Sequence, residues 1–398
     1  MASQLSNKRI FRLTALAAIL WLLSGCQQEH SPYDGVENYG KENVEYTSLA
    51  FDTLRLDARY TSLAGQWHMK DSVLCFVDKY AVGVKEYDLG GNFIGEYIRQ
   101  GKGPDEVISA SFCSTFDKST GDFLMEDANC FIHRFSSDYK KLFSLNKAWF
   151  SALDSNFGTK GWSDLYNNPD PEVPEMYEYN FVCGRMQAID SVLIIPVITE
   201  HVHYNGYDRR YNKGFWKDSY MFIRFRPEET ASSKVLFGHY PPVYSKKNIP
   251  AFSKYDFYAD KDGLLVTFAA DPRIFMMDYD GKITCSFGFP EDGISGDYPE
   301  TSSFEEYESK RKRMMDKYGF YDRLVRCGDY VFRTCHLDNA AGTILQIYDE
   351  NKDLVGRIPV SDSFEVIGEY EGVYYAYSDL DLDSEQFILV TLTVSRSG

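Results

Sequence analysis

Carboxylates alternate through Asp379-Leu380-Asp381-Leu382-Asp383-Ser384-Glu385, the two-residue spacing with which a calcium loop begins to gather its oxygen ligands. The pattern then leaves that plan: Ser384 stands where the sharp turn wants glycine, and Val390 where a bidentate glutamate belongs. Asp379, Asp381 and Asp383 therefore read as the solvated tip of an acidic hairpin, with calcium the weaker alternative. In His201-Val202-His203 two imidazoles would share one face of a strand, and His239 is a third ligand that no spacing fixes, so zinc is not supported. Neither H-E-x-x-H nor G-x-S-x-G occurs, and Gly293-Ile294-Ser295-Gly296-Asp297 lacks both the last glycine and the strand-to-helix setting of a nucleophile elbow. No catalytic residue and no cofactor is expected. Gly101 and Gly103, beside Arg99 and Lys102, suggest a backbone cradle for an anion. Pro104 and strand patterns on both sides favour a connection using its glycines for positive φ.

Two aromatic stretches stand outside any strand rhythm. Residues 155–180 hold Trp162 and Tyr166, and residues 199–219 hold Tyr207, Arg209, Tyr211 and Trp216. Their polar, Gly/Asn/Pro-containing surroundings make these six side chains the ligand-binding candidates, with anchoring of long loops as the competing role. Residues 302–318 read as a helix capped by Ser302 or Ser303, with Glu305 or Glu306 three residues on and basic residues towards its end. Phe304, Tyr307 and Met314 or Met315 would face inward.

The elements that must carry these loops repeat. A turn, an apolar strand, a second strand ending near an aromatic-Asp pair, a Gly/Asn turn and a third strand recur from Asp71, Asp122, Asp190, Asp262, Asp329 and Glu371. Six such units fit the blades of a six-bladed β-propeller. A sandwich explains strands but not the period, and runs such as Val192-Leu193-Ile194-Ile195 are apolar on both faces, as a blade packed between neighbours requires. The 30 Tyr and 28 Phe supply bulk for the wedges between blades. Val44 to Leu49, or Thr53 to Leu56, is expected to pair with Phe387 to Val394 and close the ring.

Ahead of this lies a different composition. Lys8, Arg9 and Arg12 precede an apolar run, Leu13 to Leu23, too short to span a bilayer. Leu23-Ser24-Gly25-Cys26 resembles the lipobox of bacterial lipoproteins, which implies cleavage before a diacylated Cys26. The expected organisation is a signal peptide at 1–25, a lipidated flexible tether at 26–43 and the propeller at 44–398. Without the leader the chain keeps 59 acidic residues against 39 basic ones, an excess that disfavours nucleic acid. The other seven cysteines show no metal spacing and no disulfide framework.

Gly95-Glu96-Tyr97-Ile98-Arg99-Gln100-Gly101-Lys102-Gly103-Pro104-Asp105-Glu106 resembles the blade connections of the six-bladed propeller lipoproteins of Bacteroidota, related to NHL-repeat and TolB-like propellers. Asp105 departs from the usual glycine. The resemblance implies an all-β, six-bladed propeller anchored in the cell envelope, in the outer membrane, with no leaflet specified. The expected function is a non-catalytic binding module for a glycan, a peptide or an envelope protein. The alternatives are a propeller hydrolase or lyase with an acidic or metal-containing central channel, and a structural subunit of an envelope complex.

Overall fold

A computed structural model describes residues 31–46, 51–58, 60–129, 131–146, 162–183, 185–199, 201–228 and 234–394, the side chains of 162–164 excepted. Cys26, the leader and Cys130 lie outside them. The chain divides into Met1–Gly35 and Val36–Gly398. In the first unit, the Asp34 carboxylate accepts the Ser31 N–H at 2.9 Å.

The second unit is a six-bladed propeller. Its blades span residues 65–97, 111–146, 178–239, 255–287, 320–360 and 365–392, the last completed by Phe51–Asp57. Their first, innermost strands are Gly65–Lys70, Ser111–Phe116, Gln187–Ile189, Tyr255–Asp260, Phe320–Cys327 and Glu365–Tyr370. Middle strands are covered on both faces: every residue of Gly263–Phe268 and of Phe123–Asp127 is buried. Wedges between blades are filled by aromatics, as where Trp67, Phe76 and Phe387 meet between the sixth and first blades.

The repeated aspartate has a common cause. Asp88 Oδ1 accepts the N–H groups of Gly90 and Asn92, Asp278 Oδ1 those of Asp280 and Lys282, and Asp349 Oδ1 those of Asn351 and Asp353. Each closes the hairpin between third and fourth strands by satisfying two turn donors at once.

The N-terminal segment girdles three blades. Asn38–Tyr39 runs parallel to Ile283–Phe287 on the fourth blade, Glu42–Tyr46 parallel to Leu354–Val360 on the fifth, and Phe51–Asp57 antiparallel to Gln386–Leu392 on the sixth. Ring closure therefore uses the stretch containing Thr53 to Leu56, while Val44 serves the neighbouring blade. Pairing begins within the segment expected to be tether, because the fourth and fifth blades offer open edges that a passing strand can cover.

Strand alternation sorts the connections. First strands begin, second strands turn into third strands, and blades hand over to one another at one end of the ring; the remaining hairpins lie at the other. At the hairpin end the turns are tight, as at 261–262, 328–329 and 371–372. The opposite, long-connection end carries 98–110, 199–219, 240–254 and 288–319, and all four α-helices among the described residues: Trp162–Asn167, Phe215–Asp218, Pro242–Lys246 and Phe304–Lys317. The last helix is capped as expected, Ser303 Oγ accepting the Glu306 N–H at 3.2 Å and Glu306 reaching back to the Ser302 N–H at 2.9 Å. Met314 is buried but Phe304 is 48% exposed; it lies on the first turn and meets Tyr207 from the side instead of the blades.

The glycine loop connects the first and second blades, but neither Gly101 nor Gly103 has positive φ; Ile98 does, at 55°. The glycines make room for Glu106, whose Oε2 accepts the Gly103 N–H at 2.6 Å and lies 2.0 Å from where a Cβ on residue 101 would be.

Candidate functional site

The long-connection end holds every described ligand-binding candidate. Tyr166 is exposed, its ring 5.9 Å from that of His201 and 5.7 Å from that of His203, while Tyr211 stands 5.2 Å from His203. The two histidines sit in a turn closed between His201 and Tyr204, not on one face of a strand, and the His203 N–H donates to His201 Nδ1 at 3.1 Å. Tyr207 packs 4.7 Å from Tyr307 of the long helix. Arg209 pairs with Glu300 beside a shallow cavity of about 340 Å³ that Trp216 also lines. Trp216 is 5% exposed, donates from Nε1 to Asn248 Oδ1 at 3.0 Å and lies 5.4 Å from Tyr244. The side chain of Trp162 lies outside the described ones. Asp379 and Asp381 end the strand Val373–Asp381, where Asp381 accepts the Ser384 N–H at 3.1 Å and pairs with Arg55 at 3.4 Å. No group of three His, Cys, Asp or Glu side chains suited to a metal occurs among the described residues.

The same end gathers exposed apolar surface. Tyr60, Tyr80, Ile108, Tyr166, Val202, Phe304 and Leu382 are large, apolar and exposed, and all belong to its connections, whereas the exposed Phe181 and Val182 lie in the third blade's inner wall. At the hairpin end Phe93 and Tyr370 border turns, and Tyr39, Phe51, Ile94, Leu142 and Val235 lie on outer-edge strands. Tyr60 is 89% exposed. Phe181 stands beside Phe112, ring centres 5.1 Å apart, and both line the axial channel.

That channel encloses about 890 Å³ and touches the first strand of every blade. Its third-blade wall is broken. Glu178–Tyr179 and Gln187–Ile189 both pair with Val192–Ile198; between them the Asn180 N–H still donates to Pro196 O at 2.9 Å, and 181–183 then leave the ladder opposite Pro196, which has no N–H to offer. The detour delivers Arg185 to the channel wall. Arg185 pairs with Glu365 and approaches Asp256 Oδ1 to 3.7 Å. Arg323 Nε stands 3.8 Å from Glu365 Oε2. Behind them Asp322 is held by Lys254 and, at 3.3 Å, by His336. Third, fourth, fifth and sixth blades thus share one network of three acids and three strong bases.

Charge placement follows from that geometry. Burial opposes ionisation of Glu365 and Asp322, but Arg185 and Arg323 hold the first, and Lys254, His336 and Arg323 the second, below the ordinary carboxylate range. Asp256 has the weaker compensation, and burial pushes it up even though the Leu324 N–H donates to it at 2.8 Å. On the first blade, His68 Nε2 lies 2.8 Å from Ser114 Oγ, and burial lowers this imidazole to about 4. Ser114 Oγ donates to Gln66 Oε1 at 2.9 Å, so the Nε2–H of His68 faces an oxygen already donating elsewhere. No carboxylate orients His68 by a hydrogen bond among the described residues, and the pair lacks the base that activates a serine. These channel residues escaped the sequence reading. The available signal was Asp322-Arg323 inside an otherwise strand-like run.

No protein-family model matches this sequence. No curated protein matches it either. Among solved structures, a member of the duf4221 family from Bacteroides vulgatus superposes over 90% of this chain and 100% of its own, with a TM-score of 0.63 and 12% identity. The chain shares that fold. The Cps50 (Swd1) β-propeller domain of Myceliophteria thermophila, TM-score 0.39 at 8% identity over 85% of this chain and 99% of its own, and BamB from Moraxella catarrhalis, TM-score 0.34 at 8% identity over 88% and 99%, are more distant.

Proposed function

We propose that this chain is a lipid-anchored envelope protein, held through Cys26 in the outer membrane, whose propeller is a non-catalytic binding module for a peptide or protein surface. The observation that carries the reading is the gathering of seven exposed large apolar side chains on the long connections, against two, Phe93 and Tyr370, bordering hairpin turns among the described residues. Apolar groups left in water on one face mark interaction surfaces. Ile108, Val202 and Leu382 are aliphatic, offer a sugar no ring to stack on and suit the apolar side chains of a polypeptide, which favours a polypeptide partner over a glycan. The leader and Leu23-Ser24-Gly25-Cys26 support the anchor, as does the likeness to the six-bladed propeller lipoproteins of Bacteroidota.

The test is a peptide and glycan array probed with the full chain and with a variant carrying Tyr60→Ser, Ile108→Ser and Phe181→Ser. The expected result is peptide binding by the first, its loss in the second, and matching melting temperatures. Glycan binding that survives the triple substitution would overturn the reading. Cys26→Ala separately checks the anchor, by leaving an uncleaved precursor that no longer partitions into detergent.

A further inference from the structure

Five basic side chains line the axial channel, Lys70, Lys79, Lys118, Arg185 and Arg323, against the acids Asp71, Asp117 and Glu365, in a chain whose formal charge is −17. Most of the bases are engaged. Lys70 donates to Ser137 O, Lys118 to Ala259 O and Gln187 Oε1, and Arg185 is held by Glu365 and Asp256.

Arg323 is different. Among the described residues its guanidinium makes no hydrogen bond, and the Glu365 oxygen 3.8 Å from its Nε is beyond hydrogen-bond range. A guanidinium presents five N–H donors in a planar fork, and such a fork, balanced by nearby charge but making no hydrogen bond to the protein, is matched to a carboxylate or phosphate. The Arg323 side chain keeps 38% of its surface open and forms part of the cavity wall. Its backbone is fixed meanwhile, the Arg323 N–H donating to Thr334 Oγ1 at 3.0 Å and the next N–H to Asp256. The base of the fork is rigid and its tip is uncommitted.

We infer that the axial channel binds a small oxyanion, a carboxylate or phosphate on a polar body, seated on the Arg323 guanidinium. The competing carboxylate is already claimed, since Glu365 gives its other oxygen to Arg185. The channel's volume of about 890 Å³ matches that of small-molecule sites, and Gln66, His68, Ser114 and Gln187 on the wall suit a hydroxylated body. Burial favours the neutral form of Asp256, which leaves the two arginines with less compensation than a count of carboxylates suggests. The inference is separable from the partner proposed for the loop end, since of the three residues substituted there Tyr60 and Ile108 lie outside the channel lining and only Phe181 belongs to it.

The probes are D-glucuronate for the carboxylate and inorganic phosphate for the phosphate, with D-glucose as neutral reference, titrated calorimetrically into the full chain at low ionic strength. Saturable binding of glucuronate or phosphate, none of glucose, and weakening by about ten- to a hundredfold in Arg323→Gln are expected. Arg323→Lys, which keeps the charge but not the fork, should weaken binding less, and it carries the comparison if Arg323→Gln does not fold. Absence of saturable heat with both anions at millimolar concentration would overturn the inference. So would unchanged affinity in Arg323→Gln, which would assign the anion to exposed lysines.

Discussion

Two arginines on neighbouring strands of the fifth blade show how little residue type says without context. Arg333 is wholly buried; it donates to Gln346 Oε1, Pro272 O, Phe289 O and the Tyr348 hydroxyl, and Tyr321 covers it at 4.3 Å. It joins the fourth blade to the fifth by satisfying two carbonyls from the segments flanking the fourth blade's outer strands. Arg333→Ala should cost about 3 to 5 kcal/mol in denaturant unfolding, because it leaves a cavity and buried acceptors without donors. Arg323→Gln breaks no side-chain hydrogen bond but removes a charge that helps keep Glu365 and Asp322 ionised, so it should lower the melting temperature by less than Arg333→Ala does. His68 predicts a pH effect of definite sign. Its folded value near 4 lies below the ordinary 6.5, so between these values the unfolded chain takes up a proton that the folded chain refuses. Stability should fall as pH is lowered through that window and level off below it, by ~3 kcal/mol at most. His68→Gln should flatten this slope in chemical denaturation at pH 7, 6 and 5.

Strands that pack on both faces announce themselves, whereas strands that line a channel do not. The six repeats were visible from their second, third and fourth strands because burial on both faces makes those runs apolar, as in Gly263–Phe268, and because the hairpin aspartates recur. The innermost strands were not recognised. In Phe320–Cys327 the channel and the blade interfaces demand Asp322 and Arg323 beside Tyr321 and Leu324, which dilutes the apolar signal at the positions that carry chemistry. The third blade adds a break in its inner strand whose cause, Pro196, lies on a different strand. The glycine loop shows the converse error, a correct connection with the wrong reason for its glycines. Gly101→Ala would push a methyl group into the Glu106 carboxylate and cost Gly103 its hydrogen bond, a loss of about 1 kcal/mol. Glu106→Ala removes the atoms that clash, so the double variant should be more stable than the sum of the singles predicts.

At the scale of the whole molecule, the sixth blade is assembled from both ends of the chain. Deleting 51–57 would strip the strand Gln386–Leu392 of its outer neighbour and, by removing Leu56, open the wedge it fills with Phe76, Tyr87 and Phe387. The melting temperature should fall by well over about 4 °C, the shift that 1 kcal/mol produces in a domain of 150–250 residues being only about 2–4 °C. Deleting 38–46 should cost less, because it exposes outer edges while leaving the ring closed, and the comparison separates closure from edge protection. Which loops meet over the channel was not legible from sequence, because that depends on ring geometry.

The strand Phe51–Asp57 meets its partner only when Leu54 finds Leu389. Roughly 330 residues must be looped for that encounter, an entropic cost of about 5 kcal/mol before any wedge contact repays it. Synthesis runs from the N-terminus, so five blades can take shape while the sixth still lacks a wall. During that interval the first blade presents Trp67 and Phe76 to solvent where Phe387 will later stand. The ring is therefore a clock as well as a container: until the last thirty or so residues emerge, the chain displays a sticky flank.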